Sequence, residues 1–316
     1  MRIAVVGIGA VGGLVAARLW QDAADVTLVC APAERAALRH GGLTIEHAEG
    51  RYQVSELPVF DPADPGAPFQ AVLLCVSSPD SWAALRQVIP HLAIDPHVLV
   101  LQDGLDAAER VAALIGRRFT VPTIVDLYAS ACDEPGRIRH HGGDVAVRLA
   151  PFDQAIDWPL SVIAAHLTAA GLDGAMVSDA PAARWRRACL AIPFNLVGAA
   201  LKRPLAALLA DPAAADLLAL AVHEVAAVAR AACPDLDETL ADEVMSQLFT
   251  APGETRPPLL HARSKGHSGE IDTLVQPLRQ RAEETGLALP VINACAQRLS
   301  EAPYHPEATG STAIVA

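Results

Sequence analysis

The beginning of the chain limits its fold more than any other stretch. Arg2-Ile3-Ala4-Val5-Val6 is a short apolar, β-branched run that stops at Gly7-Ile8-Gly9-Ala10-Val11-Gly12 and continues as the helix-prone Gly13-Leu14-Val15-Ala16-Ala17-Arg18-Leu19. A strand buried on both faces has this composition, and a G-x-G-x-x-G turn leading from strand to helix marks a dinucleotide site. Gly7 permits the tight turn, Gly9 lets the backbone approach a pyrophosphate, and Gly12 lets the helix lie close to the strand. The free N–H groups and partial positive charge of the helix start then face the phosphates, with Ile8, Ala10 and Val11 in the same contact. A second strand-like run, Asp25-Val26-Thr27-Leu28-Val29, follows at the expected distance. The competing reading is a secretory signal, Arg2 followed by an apolar stretch, but a signal has no need of three glycines at this spacing.

The chain has 316 residues, 52% hydrophobic and 19% charged, enough for a large core and two domains. Its formal net charge of -12 argues against general nucleic-acid affinity, which needs clustered Lys and Arg. No uninterrupted apolar segment reaches the roughly 20 residues of a membrane span. The best candidate, residues 189–201, contains Pro193 and Asn195. The six cysteines are scattered without C-x-x-C pairs and read as buried free thiols of a reducing, cytoplasmic compartment.

Up to about Asp179 short apolar runs alternate with helical stretches. Strands are expected at residues 2–6, 25–30, 71–76, 98–102 and 121–127, with helices at 81–89, 107–115 and 155–170 and a last strand at 174–178. The segment 58–68 reads as a Pro-rich surface connection. Residues 135–147 read as a hairpin turning near Gly142-Gly143, an antiparallel extension of the sheet. From Ala182 the sequence is Ala- and Leu-rich with helical spacing and recurrent prolines, the pattern of a helical bundle. The fold class expected is therefore α/β: a Rossmann-type, doubly wound parallel sheet over residues 1–179, an all-α domain over 180–303 and a tail over 304–316.

Beyond the glycine turn, five features share a pattern: Leu101-Gln102-Asp103-Gly104, Pro135-Gly136-x-x-Arg139-His140, Trp185-Arg186-Arg187, Asn195 and Gly266-His267-Ser268-Gly269-Glu270-Ile271-Asp272. Together they resemble the ketopantoate reductase (2-dehydropantoate 2-reductase) family, in order, over roughly residues 1–300. The resemblance implies a Rossmann domain joined to a helical domain, an active site in the cleft between them, and NADPH-dependent reduction of a 2-keto acid. It also implies departures. The family's general-acid lysine matches Arg187, its first substrate-binding asparagine Ala191, and the asparagine of its Gln-Asn-Gly turn Asp103. A serine matches Pro258, the arginine after the second strand matches Ala31, and the lysine after the third matches Ser77, while Asn195 and Glu270 are kept.

Hydride reduction of a ketone leaves an alkoxide that must be protonated, a task for a lysine with lowered pKa and not for a permanently charged guanidinium. Arg187 is suited to clamp a carboxylate through two parallel hydrogen bonds, or is a solvated member of the Arg184, Arg186, Arg187 group. Asn195, on an apolar helix face, needs a polar partner: substrate or a buried backbone group. Asp103 faces the nicotinamide or only steadies the Gly104 turn. Glu270 handles a hydroxyl or proton, or is a helix-surface carboxylate. His140 and His141 read as solvated turn residues, and His261 and His267 lack a metal-ligand partner set, so no metal is expected.

The candidate catalytic residues are thus Arg187, Asn195, Glu270 and Asp103. The cofactor contacts are residues 7–12 with Arg35, Ser77 and Gln102. No acid follows the second strand to bind ribose hydroxyls, which favours NADP over NAD with Arg35, Arg39 or backbone groups at the 2'-phosphate. The leading functional expectation is an NADP-dependent oxidoreductase acting on a small, anionic ketone, alcohol or imine other than ketopantoate. The alternatives are an authentic ketopantoate reductase and a nucleotide-binding sensor without catalysis. A homodimer, with no membrane or nucleic-acid partner, completes the expectation.

Overall fold

A computed structural model describes residues 1–131, 134–152, 157–264 and 271–301. The strands are β1 (Arg2–Val6), β2 (Asp25–Val29), β3 (Leu43–His47), β4 (Gly50–Val54), β5 (Phe69–Leu74), β6 (Leu92–Val100), β7 (Thr120–Asp126), β8 (Ala129–Ala131), β9 (Arg137–His140) and β10 (Ala146–Leu149). Six of them build the main sheet in the order β10-β7-β6-β5-β1-β2, parallel except for β10, which runs antiparallel to β7 with Ala146 opposite Asp126. The helices beside it are α1 (Ala10–Gln21), α2 (Pro32–Gly41), α3 (Ser81–Val88), α4 (Ala107–Ile115) and α5 (Trp158–Ala169).

Alternation along β1 explains why both faces are covered. Ile3 and Val5 point into a core shared with Leu14, Val15 and Leu19 of α1 and Leu160 and Ile163 of α5. Ala4 and Val6 point the other way, into a core with Leu85 and Val88 of α3 and Val111 of α4. The chain therefore doubles back around β1, between β2 and β5, and leaves its ligand crevice at the carboxyl ends of these strands.

A second sheet, in the order β4-β3-β9-β8, is absent from the sequence-based expectation. Residues 135–147 do not form a hairpin: β9 pairs with β3 and β8 here, whereas β10 crosses to the main sheet. The turn-like glycines 142 and 143, at φ +95° and +79°, redirect the chain between sheets and do not close a ladder. Of the expected strand at 174–178 only a bridge from Leu149 to Met176 exists.

The C-terminal part is helical: α6 (Ala180–Leu201), α7 (Leu205–Leu209), α8 (Pro212–Ala232), α9 (Leu240–Thr250), α10 (Pro258–Ser264), α11 (Ile271–Thr285) and α12 (Pro290–Glu301). The Asp179 carboxylate accepts from the Ala182 N–H and caps α6, and Asp211 does the same for α8. α6 is buried on all sides from Ala188 to Ala200 and forms the axis of this core with α8. Among the described residues the helix long and apolar enough to cross a membrane is α8 and not the 189–201 stretch, yet it places Leu218, Val222 and Val225 in the bundle core. Cys30, Cys189, Cys233 and Cys295 are buried free thiols and Cys75 is half-buried. Cys132 and the tail from 302 lie outside the described residues.

Candidate active site

The glycine turn joins β1 to α1. Gly7 sits at φ +99°, and a Cβ there would lie 2.9 Å from the Val76 nitrogen. A Cβ on Gly12 would fall 2.0 Å from the Gly7 carbonyl oxygen, so only glycine lets α1 start where it does. Gly9 is different: nothing lies within 4 Å of its absent Cβ. The first turn of α1 has neither a side-chain cap nor an acidic residue, so its N–H groups and positive end are unopposed. Open space in front of Gly9 and an uncapped helix start fit the pyrophosphate of a dinucleotide.

At the end of β2 the chain passes Cys30 and Ala31 into α2, where the Ala31 N–H donates to Glu34 at 3.1 Å. Arg39 is taken by Asp61 at 2.7 Å. Arg35 is half-buried beside the Cys30 thiol, and its Nε has no hydrogen-bond partner. Arg35 thus lies at the end of β2 with its side chain against the Cys30 thiol. The Ser77 hydroxyl donates to Asp80. Gln102 donates to the Val76 carbonyl at 2.7 Å and to the Ser81 hydroxyl at 2.8 Å, which leaves its buried Oε1 without a partner beside the turn that carries Asp103.

The centre of the site is an ion pair that joins two of the unusual residues to each other. Arg187, on the second turn of α6, donates from Nε to Asp103 Oδ1 at 2.9 Å and from Nη2 to Oδ2 at 3.0 Å. Its Nη1 lies 3.5 Å from Asp126 at the carboxyl end of β7, and Asp126 in turn accepts from Arg148 at 3.1 Å. Burial would lower the Arg187 pKa, but Asp103 and Asp126 outweigh it and hold the guanidinium above its usual range. Arg187 and Asp103 are 22% and 25% exposed, so Arg187 is not a solvated member of the Arg184, Arg186, Arg187 group. Both Asp103 oxygens accept from Arg187 on α6. One turn earlier Arg184 donates to the Leu105 carbonyl at 2.6 Å and to Glu109 at 2.7 Å.

Asn195 takes the backbone role of its two readings. At 4% exposure it donates to the Ala191 carbonyl and accepts from the Leu259 N–H, both at 2.9 Å, and so fastens the start of α10 to α6. Ala191, one helical turn earlier, is the residue that faces the pocket. Glu270 and His267 lie outside the described residues. His140 is not a solvated turn residue: it is 6% exposed in β9, with Nδ1 at 3.3 Å from His47 Nδ1. Burial and the nearby Arg18 push its pKa down to about 4.

Between the two parts of the chain lies a small pocket of about 40 Å³ lined by residues 101–105, 123–125, Arg184, Arg187, Ala188, Ala191 and Ile192. Apart from Arg184 and Arg187, its polar side chains are Gln102, Asp103 and Thr123, whose hydroxyl donates to the Val121 carbonyl. Sequence reasoning missed Asp126, Arg184 and Arg148. Asp126 carries a signal, since it is the charged residue that ends an apolar strand run, where α/β ligand crevices form. Among the described residues no group of three or more His, Cys, Asp or Glu is arranged to hold a metal.

Comparison with known proteins agrees with this architecture. Residues 3–154 match the family described as "Ketopantoate reductase PanE/ApbA" and residues 179–302 its C-terminal counterpart. A 2-dehydropantoate 2-reductase of Caulobacter vibrioides is 29% identical over 293 residues, covering 91% of this chain and 94% of that protein. The crystal structure of 2-dehydropantoate 2-reductase from Geobacter metallireducens GS-15 superposes with a TM-score of 0.85 at 25% identity, over 96% of this chain and 100% of that one. D-mandelate dehydrogenase, solved with NADH and anilino(oxo)acetate, shares the fold with a TM-score of 0.83 at 20% identity, over 95% and 97%. With both halves matched in order, the chain belongs to the ketopantoate reductase family of oxidoreductases.

Proposed function

We propose that this family member is an NADPH-dependent oxidoreductase acting on a small carbonyl or imine compound, or its reduced form, and that ketopantoate is not its substrate. The observation that carries the second half is the bidentate Arg187–Asp103 pair, which stands where the family resemblance puts a lysine and an asparagine. Arg187 stays protonated and serves as a hydrogen-bond donor and as a clamp on Asp103; it does not deliver a proton. The turn from Gly7 to Gly12, with Ile8, Ala10 and Val11, would hold the pyrophosphate, and Gln102 would border the nicotinamide. Ser77, held by Asp80, shapes the edge of the same crevice. Arg35 would meet the 2'-phosphate, which favours NADP, while NADH bound to D-mandelate dehydrogenase shows that this fold also accepts the other cofactor. When bound, the cofactor supplies a hydride. Glu270, kept in the family pattern, is the proposed partner for a substrate hydroxyl or proton, and Asn195 supports the site through α10.

Nothing in the pocket favours the anionic substrate expected from sequence, because both arginines that line it are bonded to carboxylates. We also propose a cytoplasmic homodimer, supported by five described free thiols and by the exposed Leu220 and Phe249 of α8 and α9. The decisive assay follows NADPH oxidation by the purified protein with ketopantoate and with a panel of ketones and imines. Turnover of ketopantoate at a rate matching the Caulobacter vibrioides relative assayed alongside refutes the altered substrate. Tight NADPH binding with no turnover on any compound points instead to a nucleotide-binding sensor.

A further inference from the structure

We infer that Ala188, Ala191 and Ile192 of α6, set against Leu101, Ile124 and Val125, form a subsite for one short alkyl group of a carbonyl substrate, and that Ala191 sets the size of that group. The inference rests on the reading of the chain as an NADPH-dependent oxidoreductase and names the side chain that its substrate carries. Three observations support it.

The first is unfilled space. Protein interiors pack to the density of organic crystals, with few voids larger than a water molecule. Every residue of α6 from Ala188 to Ala200 is buried, yet about 40 Å³ stays open where the helix crosses residues 101–105 and 123–125. Ala188, Ala191 and Ile192, three and four positions apart, form the one helix face that lines this gap. A larger side chain at 188 or 191 would close it, so the two alanines leave room and do not complete a core. Since about 10–15 Å³ of such space takes one water-sized atom, the gap admits an alkyl group of about three carbons.

The second is the placement of the polar groups. Thr123 donates to the Val121 carbonyl at 3.1 Å, Arg184 to the Leu105 carbonyl and Glu109, and Arg187 to Asp103. These bonds leave the hydrocarbon wall without a polar demand of its own. Arg187 spends three N–H groups on Asp103 and Asp126, and its guanidinium keeps two more for a carbonyl oxygen while the alkyl group turns inward. The third is rigidity. Leu190 and Val197, on the opposite side of α6, are fixed in the bundle core, so the helix cannot draw back to admit a larger group.

The test is calorimetry on the NADPH-saturated protein with amides, which present a carbonyl and an alkyl group and are not reduced. Isobutyramide should bind about tenfold tighter than acetamide, the gain from burying two further carbons. Ala191→Val puts two methyl groups into the gap and should cancel that advantage, with acetamide affinity held within about twofold. Ala191→Gly enlarges the gap and should move the preference to pivalamide. Melting curves show that each variant is folded, and the glycine variant decides alone if the valine variant is not. Equal affinity for acetamide and isobutyramide, no heat from isobutyramide, or a size order that ignores the change at 191 overturns the subsite. Failure to bind NADPH in a cofactor-fluorescence titration defeats the underlying reading as well, while NADPH binding without the size preference defeats the subsite alone.

Discussion

Asp103→Asn is the perturbation that most directly tests the site. It keeps the side-chain shape but removes the charge that Arg187 grips with two hydrogen bonds of 2.9 and 3.0 Å. At an effective dielectric near 20, two unit charges about 4 Å apart attract by about 4 kcal/mol. Desolvation of both groups offsets part of that attraction, and because each is roughly a quarter exposed the site lies between a surface pair, at about 0–1 kcal/mol, and a fully buried one, at about 3–5 kcal/mol. The expected loss of stability is about 2 kcal/mol, or about 3 °C in Tm for a chain of 316 residues. Asp126→Asn should cost about half as much, since its contact with Arg187 is 3.5 Å and its partner Arg148 keeps Asp173. A double-mutant cycle of D103N with R187M, followed by thermal unfolding, isolates the pair. A coupling of at least about 1.5 kcal/mol is expected, and one below about 0.5 kcal/mol would show that the pair is a loose surface contact.

Three further outcomes are expected. Gly9→Ala should leave Tm within about 1 °C yet weaken NADPH binding at least about tenfold, because its Cβ enters empty space in front of α1, whereas Gly12→Ala, with a Cβ 2.0 Å from the Gly7 carbonyl oxygen, should lower Tm and abolish binding together; fluorescence titration and melting curves separate the two. Asn195→Ala should cost about 2–3 kcal/mol in denaturant unfolding, since it strips partners from the buried Ala191 carbonyl and Leu259 N–H, and should leave the discrimination between substrates unchanged. His140 has its pKa lowered from 6.5 to about 4, so the unfolded chain binds the extra proton first and stability falls as pH drops through that window. The loss between pH 7 and pH 5 should be about 2 kcal/mol, and His140→Gln should flatten it.

How far the sequence reaches is clear from particular residues. The β1 turn and α1 were legible because strand, glycine spacing and helix are contiguous, and every constraint acts within about a dozen positions. The departures at Arg187 and Asp103 were legible one at a time, but their union was not, because 84 positions separate them and the pairing exists only once α6 crosses the carboxyl end of β6. The residues 135–147 misled for a related reason. Turn glycines announce a change of direction, not which sheet receives the chain, and β9 and β10 are claimed by different sheets. Once β9 joins β3, His140 is carried inward against His47, and Ile138 comes to rest where a Cβ on Gly13 would sit, 2.1 Å from its Cδ1. Glycine at position 13 is thus explained by the second sheet and not by the dinucleotide pattern.

The ion pair between Arg187 and Asp103 also constrains what the site can become. Since Arg187 and Asp103 satisfy each other, neither can return alone to a lysine or an asparagine without leaving its partner's charge stranded in a crevice three-quarters shielded from water. The two residues therefore act as one unit: a change at either calls for a matching change at the other before the charges of the crevice balance again.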